Sequence, residues 1–193
     1  MNNKQQFRPQ GAKEPVHIRR NVEAFSDPYI EEENLPEGSV CSRCGSVYSS
    51  GRWYPPNDPP AHSAVDVKTS RTPAEKTANS RSAEAHPVLC PACRKLRDHV
   101  PGGILKLTGG FVWDHKDEIL NLIRNETSKA MGINPLERVM SLEAHDGEIE
   151  ITTTNEKLAQ RLGKALHKAY DGTIEYKWSA DTKLARVIWR RES

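Results

Sequence analysis

Four cysteines stand in two pairs, Cys41 with Cys44 and Cys90 with Cys93, and the chain has no others. Two intervening residues let a tight turn aim both sulfurs at one tetrahedral ion while backbone N–H groups soften the thiolate charge. Two such pairs close a four-sulfur site, so Zn2+ is the expected cofactor and Cys41, Cys44, Cys90 and Cys93 its expected ligands. Gly45 after the first pair permits positive φ, and Pro91 fixes φ in the second, as two knuckle turns require. A closed thiolate set leaves no coordination position for water, so the ion would stabilise a fold and not hydrolyse a substrate.

Two other chemistries use the same residues. A disulfide framework needs an oxidising compartment, but the opening MNNKQQFRPQ contains no apolar export segment. A thioredoxin-like redox pair follows a strand in a βαβ unit, and neither pair has that setting. His62 and His86 offer alternative ligands, though the cysteine set is complete without them.

Positioning these residues falls to a chain poor in core-forming side chains. It has 193 residues, of which 36% are hydrophobic and 6% aromatic, with 13 prolines; the mean hydropathy is -0.73. Long segments therefore contribute nothing to a core. No run is apolar enough to span a bilayer, and a soluble, cytoplasmic protein is expected. Residues 1–38, with acidic Glu31, Glu32 and Glu33 and a basic patch from His17 to Arg20, have no periodicity and read as a disordered tail. Residues 39–100 read as a zinc-ribbon-like module, with a short hairpin around Val47 to Tyr54 and one or two helical turns over 94–99. Its Pro-, Ser- and Thr-rich stretch over about 55–86 reads as a mobile insert between the cysteine pairs, whose closure costs little more as it lengthens.

Beyond Pro101 the texture changes to regular periodicity. Strand 104–108 precedes a helix over 115–131, capped by Asp114 and stopped by Gly132. Alternation over 138–144 and 148–154 makes a hairpin turning at His145 to Gly147. Thr153 and Glu156 suggest a capping box for a second helix with Leu158, Leu162, Ala165, Leu166 and Ala169 as its apolar stripe. Strands over 173–179 and 183–190 follow, joined at 180–182. The fold class is α+β: residues 101–193 form a ferredoxin-like α/β plait, βαββαβ plus an extra edge strand.

Charge distribution suggests a partner even though the net charge is only +2. Residues 41–100 carry nine basic side chains (Arg43, Arg52, Lys68, Arg71, Lys76, Arg81, Arg94, Lys95, Arg97) against five acidic ones (Asp58, Asp66, Glu75, Glu84, Asp98). On the second helix, Lys157, Arg161, Lys164 and Lys168 recur along one side with Glu156 as the only acid. A solvated helix usually intersperses acids for i,i+4 pairs, so this row points to a polyanion, with a merely solubilising face as the alternative. Arg43, Arg52, Arg94, Lys95 and Arg97, with the four helix cations, are the candidate nucleic-acid contacts, made through phosphates. Base stacking on the sheet is not expected, because the 148–154 strand has no aromatic residue. Enzyme signatures are missing: no Gly-rich phosphate loop, no G-x-S-x-G and no H-E-x-x-H, while His115 between Asp114 and Asp117 reads as a helix start.

Taken together, CSRCG followed by GRW, then CPACRKLRD, PGGILKLTGGF, HKDEILNLIRNE, NPLERVMSLE and LAQRLGKALHKAYDG, over residues 39–178, resemble the small bacterial relatives of the NMD-type large-ribosomal-subunit export adaptor, described as "NMD protein affecting ribosome stability and mRNA decay". That resemblance implies a zinc module that docks on the large subunit, with Cys41, Cys44, Cys90 and Cys93 corresponding to half of the larger protein's eight cysteines. The expectation is a non-enzymatic, zinc-stabilised adaptor that binds the ribosome or rRNA in assembly, stability or hibernation. A zinc-ribbon protein–protein interaction module without RNA contact is the alternative.

Overall fold

Alternating apolar residues in four segments of the C-terminal half meet in register and form the main core. The computed structural model describes residues 27–29, 35–58, 88–145, 147–179 and 184–193. The expected mobile insert falls mostly on 59–87, and His62 and His86 with it, outside the described residues. So do most of the expected tail and the expected turn at 180–182.

The elements run β1 (Val47–Ser49), β2 (Arg52–Tyr54), α1 (Pro91–Asp98), β3 (Gly103–Thr108), α2 (Gly110–Asp114), α3 (Lys116–Ile133), β4 (Val139–His145), β5 (Glu148–Thr153), α4 (Glu156–Tyr170), β6 (Thr173–Trp178) and β7 (Ala185–Arg190). β1 and β2 form a hairpin, and the other strands make one five-stranded mixed sheet in the order β4-β5-β3-β7-β6. Register explains the core. Leu107 lies beside Ile149 on one flank and Trp189 on the other, and Leu105 beside Ile151 and Val187. All six are fully buried, under Ile119 and Ile123 of α3 and Leu158, Leu162 and Leu166 of α4. Alternate positions turn to the other face, where Lys106 pairs with Glu150 at 3.2 Å. That division into one apolar and one polar face is what period-two patterning predicts.

The strand expected as an added edge is inside the sheet. β7 lies parallel to β3 and antiparallel to β6, leaving β6 at the edge. Burial accounts for the order: Ala185, Val187 and Trp189 of β7 are inaccessible, whereas the side chains of β6 stay partly or wholly in solvent. An interior place suits the more apolar strand, and the edge suits one carrying the Glu175–Lys177 pair.

Helix ends differ from expectation as well. Asp114 closes the short α2 and does not cap a longer helix; α3 begins after His115 and runs through Gly132 to Ile133. The cap of α4 is Asn155, whose Oδ1 accepts from Leu158 N–H at 3.0 Å, while the Thr153 hydroxyl donates to the Gly103 and Asn155 carbonyls. The buried side of α4 comprises Leu158, Ala159, Leu162, Gly163 and Leu166; Ala165 is half-buried and Ala169 exposed. Small residues bring the helix close to the sheet, since a Cβ on Gly163 would sit 2.7 Å from Val187 Cγ1. Among the described residues, no helix is long and apolar enough to cross a membrane.

Two residues of the expected tail, Asp27 and Tyr29, are placed against α1. The Asp27 carboxylate pairs with Lys95, Tyr29 O–H donates to Asp98 at 3.2 Å, and Arg94 Nη2 donates to the Tyr29 carbonyl at 2.8 Å. Asp27 is 8% exposed, so this segment is part of the packed structure.

Candidate metal centre

Each cysteine pair is held by a different device. The first sits on a knuckle: Gly45 N–H donates to the Cys41 carbonyl at 2.9 Å, Cys41 N–H to the Ser46 carbonyl at 2.8 Å, and Gly45 adopts φ +73°. The second opens a helix and is not a second knuckle. Cys90 is the N-cap of α1, Pro91 occupies its first turn, and Arg94 N–H returns to the Cys90 carbonyl at 3.0 Å. Proline fits there because the first helical N–H has no intrahelical acceptor. The expected ribbon is therefore a knuckle, a hairpin and a helix start. A parallel bridge from Cys41 to Val88, with Ser42 N–H on the Val88 carbonyl at 2.9 Å, brings the two halves together.

The four sulfurs lie within 4.8 Å of one another. Cys44 Sγ and Cys90 Sγ are 3.7 Å apart. A tetrahedral ion with metal–sulfur bonds of about 2.3 Å places its ligands about 3.8 Å apart, the spacing of Cys44 and Cys90, so the donor set has to close by no more than about 1 Å to hold such an ion. Cys41, Cys90 and Cys93 are buried and Cys44 is half-buried. With Trp53 and Ala92 they form a small second core, packed by Tyr48, Val88, Leu89 and Leu136.

Burial and hydrogen bonding compete at three of the sulfurs. Burial alone would raise the Cys44 thiol; donors from the Ser46 side chain and backbone, Arg138 and Cys41 outweigh it and hold the thiol at about 6. Burial pushes Cys93 up to about 11. Burial, reinforced by the charge of the other three sulfurs, holds Cys90 far above the usual thiol range despite a bond from the Cys93 backbone. Cys90 N–H in turn donates to Cys41 Sγ at 3.3 Å. A dication would remove the mutual repulsion and bring all four to the thiolate form.

Two contributors escaped the sequence reading. Ser46 Oγ is 3.1 Å from Cys44 Sγ. Arg138, from the start of β4, places Nη1 3.6 Å from Cys93 Sγ. Proximity to the cysteines gave a signal for Ser46; nothing in the local pattern marks Arg138.

The proposed phosphate contacts divide sharply. Lys95 is 5% exposed, and its ammonium is taken by Asp27 and by the Thr154 carbonyl at 3.0 Å; it is not available to phosphate. Arg94 is turned to the Tyr29 carbonyl. Arg52 Nη2 donates to the Ile133 carbonyl at 3.1 Å, and Arg97 Nε meets Asp98 at 2.7 Å, both with exposed side chains. Arg43 is exposed on the knuckle. On α4, Lys157, Lys164 and Lys168 are exposed, and Arg161 is half-buried with Nη2 3.6 Å from Glu137. Lys157, Arg161 and Lys164, with Gln160, line one open hollow of 350 Å3. A narrower cleft of 210 Å3 lies beside it where α1, the 134–136 segment and the start of α4 meet, and Lys157 borders both. Comparison with known proteins returns no matching family model, no matching curated protein and no matching solved structure.

Proposed function

We propose that this protein is a cytoplasmic, non-enzymatic adaptor that holds one Zn2+ and binds ribosomal RNA or the ribosome through the basic side of α4, serving ribosome assembly, stability or hibernation. The observation that carries the reading is the row of cations on α4, where Lys157, Lys164 and Lys168 have no carboxylate partner among the described residues and three of the row converge on one hollow. A closely spaced row of ammonium and guanidinium groups gains by releasing counterions from a phosphate backbone. Four sulfurs clustered within 4.8 Å favour zinc over harder ions, and the closed donor set gives the ion a structural role. The ferredoxin-like relation is limited to β3 through α4, where β5 lies between β3 and β4 as in a plait; β7 then inserts where the plait has none.

Sucrose-gradient sedimentation of the tagged chain from lysate tests the function. Co-migration with ribosomal particles at low salt, lost as salt rises, is the expected result. A chain that stays at the top of the gradient at low salt excludes ribosome binding.

A second reading, a protein-docking module, is favoured by Val40 and Val100, which are 51% and 41% exposed on the cysteine unit. Partner capture with and without RNase separates the two, since only a protein contact survives the nuclease.

A further inference from the structure

Charge does not balance inside the cysteine unit once a divalent ion is bound, a premise that rests on the metal reading above. Four thiolates around a dication leave a net negative centre in a buried place, which is costly unless hydrogen-bonded or paired. Among the described residues the unit's own cations point elsewhere: Lys95 to Asp27, Arg94 to the Tyr29 carbonyl, Arg52 to the Ile133 carbonyl, Arg97 to Asp98 and Arg43 into solvent.

Arg138 fills that need from the other unit. Its Nη1 is 3.6 Å from Cys93 Sγ, a sulfur that lies within 4.8 Å of the other three. The side chain is fixed from behind, with Nε donating to the Pro135 carbonyl at 2.7 Å. Its backbone is fixed as well: Arg138 N–H donates to Thr154 Oγ1 at 2.9 Å, and Thr154 N–H returns to the Arg138 carbonyl at 2.9 Å. Thr154 also accepts Lys95 from α1 on its carbonyl at 3.0 Å. The sulfur cluster and the five-stranded sheet thus share a junction at Arg138 and Thr154.

We propose that Arg138 is the counter-cation of the metal–thiolate centre, and that bound metal locks the cysteine unit onto the α/β unit through it. The site is complete only when the two units are docked. Metal loading therefore reports on, and reinforces, their docking. A guanidinium suits this role because it donates through a rigid planar fork while staying charged at any physiological pH.

The test uses the full chain loaded with Zn2+ and titrated with a chromophoric chelator, as wild type, Arg138→Met, Arg138→Lys and, as an exposed charge control, Arg124→Met. Removing an outer-shell partner of this kind weakens metal binding about 10- to 100-fold, and that loss is expected for Arg138→Met. Arg138→Lys should recover part of it, and Arg124→Met should match wild type. The pH at which half the metal is released should rise in Arg138→Met, because the thiolates lose a cation that favours them over thiols. Metal should slow amide exchange at Arg138 and Thr154 in wild type and leave it unchanged in Arg138→Met. An Arg138→Met chain within twofold of wild-type affinity overturns the proposal and leaves the metal reading standing; a wild-type chain that takes up no metal overturns both. Should Arg138→Met fail to fold, the neutral Arg138→Gln takes its place, and an Arg138→Gln chain with wild-type affinity and an unshifted release pH overturns the proposal.

Discussion

Asp27 and Lys95, 68 positions apart, form an ion pair with side-chain exposures of 8% and 7%. It fastens the segment before the first cysteine pair to the helix that carries the second. Removing one partner leaves a buried charge unpaired and costs about 3 to 5 kcal/mol. Asp27→Asn or Lys95→Met should therefore lower stability by about that amount in urea unfolding of the holo chain. The double change Asp27→Leu with Lys95→Met should recover most of the loss, since a packed apolar pair is a fair substitute for a buried ionic one.

Metal removal should act on the cysteine unit first. Its core consists of three buried cysteines with Trp53 and Ala92, too little to persist without the ion. Chelation should shift the Trp53 emission to the red, a change absent from Trp53→Phe, while the helical circular dichroism of α3 and α4 stays.

Metal affinity should rise with pH. Burial keeps Cys90 and Cys93 above the ordinary thiol range, so both carry protons near neutrality in the metal-free chain. Binding must expel them, and each proton released makes the affinity about tenfold greater per pH unit. Calorimetry in buffers of differing ionisation enthalpy should count at least two protons released at pH 7. In the metal-free fold the thiols divide: Cys44, held at about 6, adds stability as pH rises from there towards the unfolded thiol pKa, whereas the raised Cys90 and Cys93 values favour the fold below the unfolded thiol pKa and that contribution fades as pH climbs through the folded values.

RNA binding should separate the cations by their surroundings. Lys157→Gln, Lys164→Gln and Lys168→Gln should each reduce the slope of log affinity against log salt by about one. Arg161→Gln should have a smaller effect, since its guanidinium lies 3.6 Å from Glu137. Lys95→Met should leave the slope unchanged. Filter binding of rRNA fragments over a salt series measures all five.

Seating of α4 depends on Gly163. An added methyl would meet Val187 Cγ1 at 2.7 Å and Ile174 Cδ1 at 3.0 Å, both on the sheet. Gly163→Ala gains about 1 kcal/mol of helix propensity, but overpacking against the fully buried Val187 costs about 1 to 3 kcal/mol. The net result should be a lower unfolding midpoint, measured by thermal denaturation.

Period and spacing made much of this legible. The alternation in β5 and the leucines of α4 identify the core because an amphipathic element has one way to bury its apolar side. The cysteine quartet was legible because short-range spacing encodes a ligand geometry. The place of β7 was not, since alternation marks a strand without naming its neighbours. Arg138 was hidden because it sits 45 positions from Cys93, in a segment whose own pattern is that of a strand start. Lys95 reads in the sequence as a phosphate contact because its burial depends on Asp27, in a stretch with no periodicity to announce packing.

Having β7 between β3 and β6 also sets an order of events during synthesis. A nascent chain that has not yet extended past residue 184 owns β3, β4, β5 and both long helices, yet β3 has a bare flank and β6 has nothing to pair with. Those open edges carry Leu105, Leu107 and Tyr176, the sort of surface that recruits chaperones or other unfinished chains. Translation must therefore deliver Val187 and Trp189 before the sheet can close over its own middle.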